Sequence, residues 1–161
     1  MSVLVPRRYI PKSLSSKDKK KQTRELRRSR EGYKKGQYYT RKKVASFKSK
    51  GSPHVARARR IYGIENVRPG PELSRKTGCS VSALRKIVRK GEGAYFSSGS
   101  RPNQTAHSWG YARLASAITS GKSSVIDYPI LAKGCKKGSK ALRLAKKAMQ
   151  VSRRSPPKVS L

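Results

Sequence analysis

Gly121, Lys122 and Ser123 stand in the order in which a phosphate-binding P-loop ends, so nucleotide hydrolysis is the first chemistry to weigh. That motif needs a glycine five positions earlier, where the chain has Ser116. It also needs a strand ahead of the loop, where the spacing predicts a helix. His107, Ser108 and Asp127 are the residue types of a nucleophilic triad. Adjacent side chains on one helix point in different directions, so His107 does not serve Ser108. His54 has no matching ligand or acid nearby and fits a helix-cap region better than a catalytic base. With 7 acids in 161 residues, neither paired carboxylates nor a set of metal ligands can be assembled. Cys79 and Cys135 lie 56 positions apart without a Cys-x-x-Cys neighbour, which argues against a zinc motif and a disulfide framework. They read as two reduced thiols in or near a core, and the composition fits an intracellular compartment. The expectation is a protein that is no enzyme, with no catalytic residue, no cofactor and no metal.

What the chain does offer is positive charge. It has 41 Lys and Arg against 7 Asp and Glu, a formal net charge of +34. Self-repulsion at that density opposes compaction unless an anion is close by. A phosphate backbone is the natural neutraliser, because each Lys or Arg contact releases condensed counterions. An anionic membrane surface is the second candidate and the less favoured one. No segment approaches the roughly 18 consecutive apolar residues of a spanning helix, and no secretory signal with an apolar core is seen.

The candidate anion ligands are Lys19, Lys20, Lys21, Arg24, Arg27, Arg28, Lys34, Lys35, Arg41, Lys42 and Lys43, all within a basic arm over 1–52 that holds 18 cations and 3 acids. Good helix propensity over 16–31, with Ser16 as cap, predicts a helix. Leu26 is its single large aliphatic residue, so it is polar all round and has no face to bury. A partner, rather than this chain's own core, would order it. Residues 33–47 interleave aromatics with cations. Tyr33, Tyr38, Tyr39 and Phe47 either stack on bases beside phosphate-binding cations or pack onto the domain or a protein neighbour.

Further along, Ser52–Pro53 starts a short helix over 53–64, with Val55, Ala58, Ile61 and Tyr62 at helical spacing and Gly63 as its stop. Residues 65–71 form a Pro/Gly linker. Residues 72–134 are the best candidate for a small, mainly helical core domain. Its start, 72–90, matches either a helix-turn-helix, with Gly78 in the turn and Arg85 and Lys86 on the groove-entering helix, or a plain helical hairpin. After a turn-rich loop, Thr105 caps a helix whose Tyr111, Leu114, Ala115 and Ile118 make one apolar face. Trp109 sits on its first turn and anchors the loop. Arg101, Arg113 and Lys122 have no acid between Gly93 and Ile126 to pair with. They either collect one phosphate or carboxylate near the Thr105 helix start or are solvated. Pro129 makes 125–133 an edge strand or a helix start. Residues 135–161 supply a basic turn, a basic amphipathic helix over 140–152 capped by Ser139, and a tail. The Leu142, Ala145 and Met149 face of that helix suits a protein neighbour better than lipid. The fold class is therefore mainly α, with long basic extensions at both ends.

Two ordered strings go further. YKKGQYYTRKKVASFKSKGSPHVARARRIYGI (33–64) resembles a segment of short, basic, uncharacterised proteins of nucleocytoplasmic large DNA viruses of algae and amoebae. GEGAYFSSGSRPNQTAHSWGYARLASAITSGK (91–122) resembles a domain of the same viruses and, more loosely, of bacteriophage proteins. Its core is an aromatic, an Arg-Pro turn and a Trp-x-Tyr-Ala-Arg helix, here Tyr95, Arg101, Pro102, Trp109, Tyr111, Ala112 and Arg113. The resemblance brings no catalytic residues. It implies a virion protein located in the capsid interior or the infected cell. The expectation is a minor capsid protein on the inner face of a large icosahedral capsid, with capsid proteins and double-stranded DNA as partners. A soluble genome-condensing protein and a helix-turn-helix regulator are the alternatives.

Overall fold

The computed structural model describes residues 3–151 and 155–161. It is mainly helical, as the sequence predicts. The chain divides into two compact units: residues up to 50 with 92–109 and 155–161, and residues 51–91 with 110–151.

The first unit opens with β1 (Leu4–Pro6), which pairs antiparallel with β2 (Lys158–Ser160) in the register Leu4 to Ser160 and Val5 to Val159. Val5 and Tyr9 pack with Leu26 from α1 (Ser16–Lys34) in a small apolar cluster, and Trp109 meets Tyr9 edge-on at 5.9 Å. Gly99, at φ 124°, allows the chain to pass close by. A Cβ there would lie 2.8 Å from a Leu26 methyl.

Helix α1 corrects the expectation of a helix with nothing to bury. Its N-cap is Ser15, whose hydroxyl accepts from the Asp18 amide at 3.2 Å. Asp18, Gln22, Glu25, Leu26 and Ser29 are buried. Their spacing of four, three, one and three residues places them on one helical face. That face is polar, and it works by hydrogen bonding. Residues 37–48 form no regular element, so their backbone groups need partners from elsewhere. The Asp18 carboxylate accepts from the Ser46 amide at 2.8 Å. Glu25 accepts from the Lys42 amide and the Tyr39 hydroxyl, both at 3.1 Å. Asn103 completes the frame: its Oδ1 accepts from the Val44 amide at 2.8 Å, and its Nδ2 donates to the carbonyls of Val44 and Phe47.

Acidification should loosen this frame. Hydrogen bonds from the Ser46 hydroxyl and amide hold the Asp18 carboxyl below its ordinary value of 3.8. A group depressed by folding contributes fully above its unfolded pKa, and the contribution fades as pH falls through the folded one. Amide exchange at Ser46 should therefore be constant above pH 4 once corrected for intrinsic rates, and should accelerate relative to Asp18→Asn below it. Equal acid profiles for the two proteins would refute this role for Asp18.

The second unit holds the larger core. It contains α2 (Pro53–Tyr62), α3 (Pro71–Thr77), residues 81–91 of α4 (Val81–Ser97), residues 110–117 of α5 (Ala106–Ala117), α6 (Lys122–Ile126), α7 (Tyr128–Gly134) and α8 (Lys140–Met149). Ser52, Pro53 and the left-handed Gly63 bound α2 as the sequence predicts. Leu84, Ile87 and Val88 of α4 meet Leu114, Ala115 and Ile118 in one buried cluster with Leu73 and Leu131. The α4 and α5 backbones come close where both carry glycine: a Cβ on Gly91 would lie 2.6 Å from the Gly110 Cα. A side chain at Gly91 would push the helices apart.

Of the two readings of 125–133, the helix start holds: the stretch falls largely within α6 and α7, with Pro129 in the first turn of α7. One expectation changes here. Helix α8 ends at Met149, while 152 lies outside the described residues. Its buried face is Ala141, Leu142, Ala145 and Ala148, which enters this unit's own interior, whereas Met149 is exposed. Of the stripe that suited a neighbour, Leu142 and Ala145 are already covered.

Candidate polyanion interface

Turning its polar acceptors inward leaves α1 with a cationic outer face. At 100° per residue, Lys20, Arg24, Arg27, Glu31 and Lys34 fall within about 40° of one line, opposite the buried face. From Lys20 to Lys34 the row runs about 21 Å at 1.5 Å per residue. Arg28 flanks it, and its guanidinium lies 4.2 Å above the Tyr39 ring. Lys20, Arg24, Arg27, Arg28, Lys34, Lys35, Lys42 and Lys43 are all exposed. None of these forms an ion pair among the described residues. A groove of about 530 Å³ runs beside the row, lined by Lys21, Arg24, Arg27, Arg28 and Lys42 with Glu25 and Glu31. Lys19 and Lys21 are half-buried, and the Lys21 ammonium is tied to the Lys43 carbonyl at 2.9 Å.

Two of the proposed anion ligands are engaged elsewhere. Arg41 is buried. Its guanidinium donates to the Ser29 hydroxyl at 2.8 Å, the Tyr95 carbonyl at 2.7 Å and the Ser100 hydroxyl at 2.6 Å, and lies 3.7 Å over the Tyr95 ring. Burial pushes its pKa down, opposed by Tyr95, Tyr9 and Glu25. This cation holds the α4 end, α1 and the following loop together within the first unit. Arg113 makes a two-pronged pair with Asp127, Nε to Oδ2 and Nη2 to Oδ1, both at 2.8 Å. Lys90 joins the same carboxylate at 3.0 Å. The acid that neutralises Arg113 lies one residue past Ile126, where the acid-free stretch of the sequence ends. A shared anion site for Arg101, Arg113 and Lys122 is overturned on that ground. Arg101 and Lys122 are exposed, in the first and second unit respectively.

The aromatics divide. Tyr39 is bound internally by Glu25 and Arg28, and its hydroxyl pKa is raised by burial and by the bond to Glu25. Phe47 is half-buried, and Trp109 is spent on Tyr9. Tyr38 is 69% exposed. In the second unit, α3, Gly78 and α4 follow one another as helix, left-handed turn and helix, with Arg85, Lys86 and Arg89 exposed on α4.

A second cationic concavity, of about 330 Å³, was not foreseen. Arg75 and Lys76 of α3 face Lys136, Lys137 and Lys140 across it. Its walls are joined by a disulfide between Cys79 and Cys135, which corrects the expectation of two reduced thiols. The two cysteines also form an antiparallel backbone bridge, flanked by Lys136 amide to Gly78 carbonyl and Ser80 amide to Gly134 carbonyl, both 2.8 Å. A separation of 56 residues conceals this juxtaposition, because only the packing of α3, α4 and α7 creates it. The paired lysines at 136 and 137 were the one local hint.

Among the described residues there is no group of three His, Cys, Asp or Glu placed to hold a metal ion. No described helix is long and apolar enough to cross a membrane. Searches of curated proteins and of solved structures find no match to the chain. A family model does match, over residues 6–129, which span both units and about three quarters of the length. The chain is a member of the family of unknown function DUF5824.

Proposed function

We propose that this chain is a non-enzymatic structural protein that binds nucleic-acid phosphates. Its place would be that of a minor capsid protein on the inner face of a large icosahedral DNA virus capsid, tying capsid proteins together and facing the packaged DNA. The observation behind phosphate binding is the outer face of α1, where Lys20, Arg24, Arg27 and Lys34 stand in a row without ion pairs among the described residues. Asp18 and Glu25 are buried on the opposite face of α1, which leaves Glu31 as the one acid within the row. The virion placement is supported by the resemblance of 33–64 and 91–122 to proteins of large DNA viruses.

Binding to a random-sequence duplex should weaken linearly in log affinity against log salt. Replacing Lys20, Arg24, Arg27 and Lys34 by glutamine should cut the slope by about 3 to 4, at roughly 0.9 per phosphate contact. An unchanged slope would remove α1 from the interface. A helix-turn-helix regulator predicts instead that Arg85→Ala or Lys86→Ala relaxes base preference. For the placement, particles fractionated in rising salt should keep the protein with the shell after DNA has left. Release together with DNA would favour genome condensation.

A further inference from the structure

We infer that Tyr38, backed by Tyr33 and Phe96, is a stacking platform for the unpaired bases of a single-stranded nucleic acid. The inference rests on phosphate binding by the first unit and adds to it a preference between nucleic-acid forms. It starts from a turn. Helix α1 ends at Lys34, and Gly36, at φ 74°, takes the left-handed conformation that reverses the chain. The Gln37 amide donates back to the Gly32 carbonyl at 2.8 Å, and the Gly36 amide to Tyr33 at 3.0 Å. The reversal sets the Tyr38 ring 6.0 Å from Tyr33, inclined at 60°. Phe96 lies 5.2 Å from the same ring, also at 60°. Phe96 in turn stands edge-on to Tyr95 at 5.0 Å, and Tyr95 is fully buried under the Arg41 guanidinium. Arg30 secures the end of α4 by donating to the Ser98 carbonyl at 2.7 Å.

The result is a file of four rings that begins at a buried cation and finishes at the surface. Tyr38 contacts two rings, yet 69% of it is exposed, and Tyr33 is 39% exposed. Pre-set aromatic surface of this kind is a recognition element whose ordering cost is already met in folding. The charge around it chooses the partner. Lys34 and Lys35 are exposed in the same turn, with Glu31 as the nearby acid on α1. The chain as a whole carries +34. An occupant that pairs flat π-faces with a string of negative charge is a single-stranded nucleic acid. A duplex keeps its base faces stacked and closed, so it meets the cations and misses the rings.

The test compares a 20-nucleotide poly-dT strand with a random-sequence duplex of the same length, each titrated at several salt concentrations. Tyr38→Ala should weaken single-strand binding about tenfold, the scale of one lost base stack. It should leave duplex affinity and both salt slopes unchanged, since no phosphate ligand is removed. Tyr38→Phe, which keeps the π-face, should stay within about twofold of wild type. Single-strand binding by Tyr38→Ala at wild-type strength would overturn the platform while leaving phosphate binding intact. Equal losses on strand and duplex, or a Phe variant as weak as the Ala variant, would overturn it as well. A wild-type protein that binds neither nucleic acid would refute phosphate binding, and the platform with it.

Discussion

Asp127→Ala is expected to lower the unfolding free energy by about 3–5 kcal/mol, the usual cost of removing one partner of a buried ion pair. The Asp127 side chain is fully buried, and it neutralises Arg113, which is 19% exposed, through two bonds of 2.8 Å. Lys90 is 46% exposed and regains water when the carboxylate goes, so its share of the loss is small. Arg113 regains little, because it stays enclosed between α4, α5 and the start of α7. In thermal unfolding the change should appear as a midpoint lowered by roughly 10 °C. Adding Arg113→Met to Asp127→Ala should recover part of it, since apolar replacement of a buried pair is often near neutral. A single variant that melts within about 1 °C of wild type would show that this carboxylate does not hold the second unit together.

Arg41 leads to the other large effect. Arg41→Met should cost about 3 kcal/mol, because it strips donors from the Ser29 and Ser100 hydroxyls and the Tyr95 carbonyl in a buried setting. It also removes the cation from the Tyr95 ring. Arg41→Lys should rescue little of this, for an ammonium cannot reproduce a planar fork that reaches three acceptors and lies flat on a ring. Denaturant midpoints measure the loss. Duplex binding supplies the contrast: under conditions where the variant is folded, its salt slope should equal that of wild type. A lower slope would return Arg41 to the phosphate-binding surface and contradict its burial.

These two residues mark the limit of reading the chain by spacing. Whatever depends on neighbours three or four positions away was legible. Ser52, Pro53 and Gly63 bound α2, Thr105 caps α5 by accepting from the Ser108 amide at 3.1 Å, and Leu114, Ala115 and Ile118 are buried at the spacing that nominated them. The positive charge and the helical class were legible for the same reason, being sums over local composition. The polar face of α1 was also within reach. Asp18, Gln22, Glu25 and Ser29 recur at helical spacing within a cationic stretch, and a face can be buried by hydrogen bonding as well as by apolar contact.

Partner choice across long separations was a matter for the tertiary structure alone. Arg41 reaches Ser100 over 59 residues, Lys90 reaches Asp127 over 37, and Cys79 meets Cys135 over 56. No local period encodes such pairs. A cation in a sequence is the same residue whether it meets water, a phosphate or a buried acceptor. Packing decides among the three, because only packing sets which groups lose water and must find a partner inside. The sequence by itself determined that this protein is helical and strongly cationic. The tertiary structure decided that Arg41 and Arg113 serve the interior, while Lys20, Arg24, Arg27 and Lys34 face outward.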